Sequence, residues 1–188
     1  MYRYCLKRVS DLVVSALALI VLSPLLLALA VVIWLWDGRP ILFRQKRIGR
    51  GGALFTILKF RSMPPGSAGV PSAQAAGIQV TAIGKFIRRT NLDELPQILN
   101  VIRGHMSIVG PRPSLPSQKE LCRFRAENGA VRCRPGLTGL AQVKAYDGMP
   151  EREKANWDGE YCQTLSFPLD LKILLQTVGY LSRRPPVY

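Results

Sequence analysis

Two adjacent carboxylates, Asp93 and Glu94, stand alone in a long basic stretch of this chain. Between residues 38 and 119 the sequence has 13 Lys and Arg and no other acid. A field of positive charge favours the ionised form of a carboxylate, which keeps Asp93 available for chemistry. A carboxylate can attack a phosphoryl group as a covalent nucleophile, and Mg²⁺ is commonly held by one or two carboxylates plus substrate phosphates. The pair therefore indicates phosphoryl chemistry, as nucleophile, as metal ligands or as both.

Several cations are candidates to bind the phosphate groups of a substrate, because guanidinium and ammonium groups pair strongly with phosphate oxygens. They are Lys59, Arg61, Arg88, Arg89 and Arg112. Arg112 lies between two prolines, and this rigid frame favours a ligand-binding role for its guanidinium. For the first two cations an exposed strand face is an equally good explanation. For Arg88 and Arg89 a solvated or lipid-headgroup-facing helix side is the alternative.

The carboxylate pair also has a purely structural interpretation. Asn91 is a favourable helix cap, and Glu94 follows it at the three-residue spacing of a capping box. Acidic side chains in a first helical turn also suit the helix dipole. Capping and catalysis are compatible roles, and the sequence alone leaves both open.

The elements that must position these residues are short. Apolar runs and turn residues predict strands at 41–43 and 54–58 around a glycine-rich turn at 49–52. Periodicity and boundary signals predict helices over 83–89, 95–102, 118–128, 151–164 and 169–181, with a turn at 134–139 and a strand at 140–143. Residues 64–77 hold no charge and are rich in Pro, Gly, Ser and Ala, which is typical of a loop. The predicted fold class is mixed α/β and mostly helical.

An apolar segment precedes this domain. From Leu12 to Trp36 the chain has 25 residues without a charge; a straight helix of that length measures about 37 Å, against a hydrocarbon core of about 30 Å. Both flanks are basic, and basic flanks prefer the cytoplasm. Pro24, after Ser23, removes a helix hydrogen bond at the centre of the run. A helix–break–helix that enters and leaves by one leaflet satisfies both flanks; a single-pass helix with a proline kink is the alternative.

Length and charge bound the classes of function. The 188 residues fit one modest domain, residues 38–188, after the membrane segment, residues 1–37. A formal net charge of +14 indicates a polyanionic partner: nucleic acid, an anionic membrane face or a phosphorylated substrate. A membrane-anchored basic protein without enzymatic activity, binding nucleic acid or anionic lipid, explains the anchor and the charge. It does not explain the isolated acid pair, and the aromatics are not interleaved with the cations as a stacking platform needs.

The cysteines and the histidine exclude further classes. Cys5, Cys122, Cys133 and Cys162 match no zinc spacing and are too few for a disulfide scaffold. The sequence therefore predicts reduced thiols in a cytosolic compartment. His105 is the single histidine, which excludes a site with several imidazoles, and a structural role is expected for it.

Five motifs follow one another in order through the chain. They are Lys59-Phe60-Arg61-Ser62-Met63, Ile87-Arg88-Arg89, Leu92-Asp93-Glu94-Leu95-Pro96-Gln97, Met106-Ser107-Ile108-Val109-Gly110-Pro111-Arg112-Pro113 and Arg134-Pro135-Gly136-Leu137-Thr138-Gly139. A later pattern comprises Asp158, Tyr161, Ser166 and Asp170. Together they resemble the bacterial sugar transferase family, the small monotopic phosphoglycosyl transferases. Each motif alone is weak, but five at compatible spacings are highly specific, and the match covers essentially the whole chain.

The resemblance implies a membrane enzyme at the cytoplasmic face of the bacterial inner membrane. Its N-terminal segment would be a re-entrant helix broken at Ser23 and Pro24. The catalytic domain would carry amphipathic helices that lie at the membrane interface. It would transfer a phospho-sugar from a UDP-sugar to polyprenyl phosphate, usually undecaprenyl phosphate, in the first membrane step of glycoconjugate or polysaccharide biosynthesis. Nucleic acid is not an expected partner, and a homo-oligomer is compatible with the resemblance.

The same resemblance implies roles for the candidate residues. Asp93 would attack the sugar-linked phosphorus, release UMP and carry a covalent phospho-sugar ester, from which polyprenyl phosphate takes the group. Glu94, with Asp93, would hold Mg²⁺, which neutralises the diphosphate. Lys59, Arg88 and Arg112 would bind phosphate, and Arg61 is a further candidate. Direct attack by the lipid phosphate, with the carboxylates as metal ligands only, is the alternative chemistry.

Two features depart from the family pattern. Many members have Gly-Asp-Met-Ser where this chain has His105, so an acidic group near the site is replaced. The predicted loop at 64–77 lacks the charges expected in relatives, which bears on the choice of donor sugar. A mobile loop at this place would cover the nucleotide sugar.

Overall fold

The computed structural model describes residues 2–63, 80–146 and 148–181. These form a mostly helical domain with two small sheets behind a long N-terminal helix, as predicted. The α-helices are α1 (Lys7–Asp37), α2 (Ala82–Arg89), α3 (Ile98–Ile102), α4 (Lys119–Glu127), α5 (Leu140–Val143), α6 (Glu151–Thr164) and α7 (Phe167–Leu181). The strands are β1 (Leu42–Ile48), β2 (Leu54–Phe60), β3 (Ser107–Val109) and β4 (Gly136–Thr138). The predicted loop at 64–77 lies outside the described residues.

Most of the predicted elements are confirmed. Strands β1 and β2 pair antiparallel, with Leu42 opposite Phe60 and Ile48 opposite Leu54, around the glycine-rich turn. Helix α6 has the predicted bounds, and α2, α4 and α7 differ from the predictions by one or two residues. The helix predicted over 95–102 is instead a 3-10 helix, Leu92–Gln97, followed by α3.

The secondary structure of residues 134–143 was predicted wrongly. Where a turn was expected, β4 pairs parallel with β3, and where a strand was expected, α5 forms. The reason lies in close backbone approach: a Cβ atom on Gly136 would overlap the backbone nitrogen of Gly110. Glycines that indicate a turn in the sequence here allow two strands to pack against each other.

Helix α1 continues through Ser23 and Pro24, so the non-helical break predicted there is not present. Pro24 has no N–H to donate to the carbonyl of Ile20. The Ser23 hydroxyl donates to that carbonyl at 2.8 Å and takes the place of the missing bond. By length and composition α1 is apolar enough to cross a membrane. Its centre is exposed, with Ile20 71% and Val21 73% accessible.

Both ends of α1 pack against the same domain. Near its start, the Arg8 guanidinium donates to the carbonyl of Val101 in α3 at 2.7 Å. Near its end, the fully buried Ile33 packs in one cluster with Phe60 of β2 and Ile87 of α2. The exposed centre of the helix lies between two anchors on one body.

A core of apolar side chains joins α6 and α7 to β3. It contains Val109, Tyr161 and Ile173, each at most 1% exposed. A disulfide joins Cys133 to Cys162 at the edge of this core, so the prediction of reduced thiols is wrong for this pair. The two cysteines are 29 residues apart and meet only because α6 packs on the segment before β4, which residue spacing does not reveal.

Candidate active site

Asp93 and Glu94 lie at the start of the 3-10 helix that links α2 to α3. Asn91 precedes it in the left-handed backbone conformation, with φ of 55°, and its side chain makes no capping hydrogen bond. The Glu94 side chain binds two cations instead of reaching back to Asn91. The capping-box interpretation is therefore wrong.

Glu94 brings two of the candidate cations together. Its Oε1 accepts from Lys59 Nζ at 2.6 Å and from Arg112 Nη2 at 2.7 Å. Lys59 projects from β2, and Arg112 lies in the irregular segment after β3, so three separate parts of the chain meet at one oxygen. The side chains of Lys59 and Glu94 are only 17% and 18% exposed, and partial shielding from water strengthens their attraction.

The charge of Glu94 is fixed by these contacts. Burial alone would raise the pKa of Glu94, but the charges and hydrogen bonds of Arg112 and Lys59 outweigh it and hold the pKa well below its ordinary value. Glu94 is therefore ionised across the physiological pH range and keeps both cations in place.

Asp93 has a different environment. It is 8% exposed, and its carboxylate makes no hydrogen bond or ion pair with any residue that the structure describes. Burial raises the pKa of Asp93 to about 6; the charges of Lys59, Arg88 and Arg112 oppose this rise, and Glu94 adds to it. Burial thus outweighs the positive field that the sequence predicted to dominate, although a pKa near 6 still leaves the carboxylate mostly ionised at pH 7.

The remaining candidate cations are placed differently. Arg88, half-buried on α2, is close enough to lower the pKa of Asp93, whereas Arg89 is exposed. Arg61 is 4% exposed and donates to the carbonyls of Asp37 and Gly38, where it closes the C-terminal end of α1. The structure therefore groups Arg88 with Asp93 and sets Arg61 at the end of the apolar helix.

Sequence reasoning missed a group that supports Arg112. Arg125 of α4 donates through Nη1 to the Arg112 carbonyl at 2.9 Å. Its Nε and Nη2 bind Asp158 Oδ2 at 2.8 and 2.6 Å. Asp158 is in the quoted family pattern, but nothing in the sequence marks Arg125 among the other cations of its helix.

Arg47 of β1 was missed as well. It donates through Nη1 to the carbonyl of Pro113 at 3.2 Å. Burial and the charge of Arg112 lower the pKa of Arg47 to about 10, and Glu94 opposes this effect. Arg47 and Arg125 thus hold the proline-framed segment from two sides. Alternation along β1 was the only signal that could have found Arg47.

The residues present fit a magnesium ion that takes most of its ligands from substrate. Asp93 offers a carboxylate that no residue of the described ranges binds, beside the ionised Glu94. Within the described ranges no three His, Cys, Asp or Glu side chains group as metal ligands. A site of one or two carboxylates completed by phosphates and water is the arrangement that Mg²⁺ commonly adopts.

His105 has a ring contact of its own. Its imidazole stacks on Phe55 of β2 with ring centroids 5.9 Å apart. This contact supports the structural role expected for the single histidine.

Comparison with known proteins places the chain in a family. A family model described as bacterial sugar transferase matches residues 2–184. The chain is 46% identical to UDP-glucose:undecaprenyl-phosphate glucose-1-phosphate transferase of Caulobacter vibrioides, over 93% of the chain and 69% of that protein. It is 39% identical to the protein of the same name from Klebsiella pneumoniae, over 94% of the chain and 40% of that protein. With exopolysaccharide production protein ExoY of Sinorhizobium fredii it shares 38% identity, over 92% of the chain and 83% of that protein.

This chain belongs to the bacterial sugar transferase family, as its motifs indicated, and the names of the Caulobacter and Klebsiella relatives describe transferase enzymes. It spans about two fifths of the length of the Klebsiella relative. The Caulobacter and Sinorhizobium relatives are matched over most of their length.

Proposed function

We propose that this chain transfers a phospho-sugar from a UDP-sugar to undecaprenyl phosphate. The observation that carries the proposal is the buried Asp93 carboxylate, which has no bonding partner among the described residues and lies beside Glu94, which holds Lys59 and Arg112. This combination offers a nucleophile next to cations that suit phosphate. The Caulobacter and Klebsiella relatives are named for such a transfer. The comparisons give no support to a non-enzymatic basic protein.

In the first proposed step, an Asp93 oxygen forms a bond to the sugar-linked phosphorus of the UDP-sugar. The bond from that phosphorus to the bridging oxygen breaks, and UMP leaves with the electron pair. In the second step, a phosphate oxygen of undecaprenyl phosphate attacks the same phosphorus and releases the Asp93 carboxylate. Neither leaving group needs a proton, because phosphate monoesters and carboxylates are stable anions near neutral pH.

The neighbouring residues bind and orient the substrate in this proposal. Lys59, Arg88 and Arg112 stabilise the negative charge on the transferred phosphoryl oxygens. Glu94 holds two of these cations at fixed positions, so little reorganisation is needed during the reaction. Mg²⁺, when bound by Glu94 and Asp93 with the diphosphate, neutralises substrate charge.

The acceptor lies in the bilayer, so the site must lie at the membrane surface. We place it at the cytoplasmic face of the inner membrane. Both ends of α1 pack on one domain while its centre is exposed, which supports a helix that enters and leaves by the same leaflet. The helix is continuous through Pro24, and a bend within it at that residue, where kinks commonly occur, would allow this path.

Helix α7 supports the same placement. It exposes an apolar stripe at helical spacing: Phe167, Leu171, Leu175 and Val178. A helix with one apolar exposed face can lie in the plane of the membrane interface. The stripe would keep the domain at headgroup depth, beside the N-terminal end of α1, which we call its base.

An activity panel tests the proposed function. The full chain in detergent would be given UDP-glucose and other UDP-sugars, with undecaprenyl phosphate and Mg²⁺, and UMP release measured. We expect release that depends on both substrates for at least one donor, with UDP-glucose the first choice because two relatives are named for it. No release with any UDP-sugar would reject the proposal.

Thiol labelling tests the proposed membrane path. Cys5, which is free and exposed, lies before α1, and Arg39, also exposed, lies after it. Because Cys122 is a second free thiol, the variants Cys122→Ser and Cys5→Ser/Arg39→Cys/Cys122→Ser would be exposed to an impermeant maleimide. We expect both positions to react in inverted vesicles and neither in spheroplasts. Labelling of one position from each side would establish a single-pass helix instead.

A further inference from the structure

A cavity of about 390 Å³ lies beside the base of α1. Its lining includes four cations, Lys7, Arg50, Arg132 and Arg134, and one carboxylate, Asp11. None of the residues to which the transfer reaction is assigned lines it. Cavities that hold small molecules measure about 300–1,000 Å³, so this one has room for a phosphate group and its substituent.

Backbone contacts fix the direction of two of the three arginines, Arg50 and Arg134, and no described residue neutralises any of the three. Arg50 Nε donates to the backbone carbonyl of Arg132 at 2.9 Å, and Arg134 Nε donates to the backbone carbonyl of Gly104 at 3.0 Å. Among the residues described, none of the three forms an ion pair, and their terminal Nη groups make no hydrogen bond. The backbone contacts of Arg50 and Arg134 therefore pre-position the paired donors with which a guanidinium binds phosphate.

The carboxylate in the cavity does not supply the missing partner. Asp11 Oδ1 accepts from Lys7 Nζ at 3.0 Å and from the Ile108 backbone at 3.1 Å, and Oδ2 accepts from the Ser107 hydroxyl at 2.8 Å. Lys7 also binds Asp170 at 2.9 Å. These groups satisfy one another, which leaves the arginines with excess positive charge.

Repulsion among the cations also indicates that an anion would be bound favourably here. Burial lowers the pKa of Arg134, and the charges of Arg50 and Arg8 lower it further, against the effect of Asp11. Like charges held near one another disfavour the charged form. A ligand that binds only the folded chain and neutralises them would stabilise it.

We propose that Arg50, Arg132 and Arg134 form a second anion site that binds a phosphate group. Its ligand is a phosphate ester, either a soluble phosphorylated compound or the headgroup of an anionic phospholipid. The position beside the base of α1 allows both sources. The site does not depend on the transfer reaction proposed for Asp93.

Phosphate titration of the full chain in an uncharged maltoside detergent tests the site. Inorganic phosphate is the probe, and isothermal calorimetry gives stoichiometry and affinity. The variant is Arg50→Ala/Arg132→Ala, in which both side chains are exposed. The matched control is Arg123→Ala/Arg152→Ala, which lowers the net charge by the same two units. In the natural chain these two exposed arginines lie over the ring of Phe124.

We expect one phosphate site to weaken at least tenfold in the first variant and to stay unchanged in the control, with equal unfolding temperatures. Unchanged binding in the first variant, an equal loss in both, or no binding by the natural chain would overturn the proposal. A second arm adds phosphatidylglycerol to the micelles. Displacement of phosphate from this site assigns the headgroup as ligand, and lack of displacement assigns a soluble phosphate ester.

Discussion

Two clusters of charged side chains in this molecule use the same residue types differently. The first, which we call the base network because it lies at the N-terminal end, or base, of α1, contains Lys7, Asp11, Ser107, Tyr161 and Asp170. The acid cluster contains Lys59, Asp93, Glu94 and Arg112. In the base network, Lys7 lies between two aspartates at 3.0 and 2.9 Å, and Tyr161 donates to Asp170 Oδ1 at 2.8 Å.

The clusters differ in what is left without a partner. Both aspartates of the base network are buried, at 3% and 4% exposure, and both are bonded. In the acid cluster Glu94 is bonded twice, whereas Asp93 is buried and forms no bond within the part of the chain that the structure describes. Burying an unpaired charge costs free energy, and strongly shifted groups concentrate at functional sites. The comparison supports a holding role for the base network and a reactive role for Asp93.

Asp93→Asn should have the largest effect on activity. Removing a covalent nucleophile is expected to lower the transfer rate by about 10⁴-fold or more. The unfolding temperature should stay equal or rise, because a pKa raised to about 6 corresponds to a penalty on the order of 3 kcal/mol for the buried charge. The measurement is UMP release together with thermal unfolding. Glu160→Gln, an exposed acid on α6, is the control; a wild-type rate in Asp93→Asn would remove the distinction between the clusters.

Lys7→Met should have the opposite profile. It leaves two buried carboxylates without their cation, and breaking a buried pair typically costs about 3–5 kcal/mol. We expect a large fall in denaturant or thermal midpoint, with near-normal turnover for each folded molecule. If turnover fell while stability was retained, the base network would belong to the reaction and not to the scaffold.

Glu94→Gln should lie between these extremes. Lys59 and Arg112 lose the negative charge that holds them together, and loss of such an electrostatic contact typically costs about 10²-fold in kcat. The arrangement predicts that kcat falls more than affinity for the donor, measured by steady-state kinetics. An equally large loss in Arg123→Ala, an exposed cation of α4, would show that general surface charge is responsible.

The pH dependence should give the smallest effect and the sharpest detail. Since the pKa of Asp93 is about 6 and the reaction needs the ionised form, kcat/KM should halve near pH 6 and fall about tenfold per unit below it. The charge of Glu94 raises this pKa, so Glu94→Gln should shift the acid limb of the kcat/KM-against-pH curve to lower pH. A limb that stayed in place would show that another group titrates.

The sequence predicted local elements well and tertiary juxtapositions poorly. Helix α6 and the β1–β2 hairpin follow from periodicity and turn residues, which act over short stretches. Strand β4 was missed because the need for Gly136 arises from Gly110, a neighbour only in the folded chain. The acid cluster was proposed from charge pattern and family resemblance. Burial decides the pKa of Asp93, and burial depends on packing that the charge pattern does not contain.

The covalent intermediate is the most direct test of the role proposed for Asp93. The full chain would be incubated with its UDP-sugar donor but without undecaprenyl phosphate, quenched, digested and analysed by mass spectrometry. The account predicts one UMP released per molecule and a sugar-phosphate mass on the Asp93 peptide, which disappears when undecaprenyl phosphate is added. Efficient transfer with no adduct on Asp93 would contradict the account and favour direct attack by the lipid phosphate.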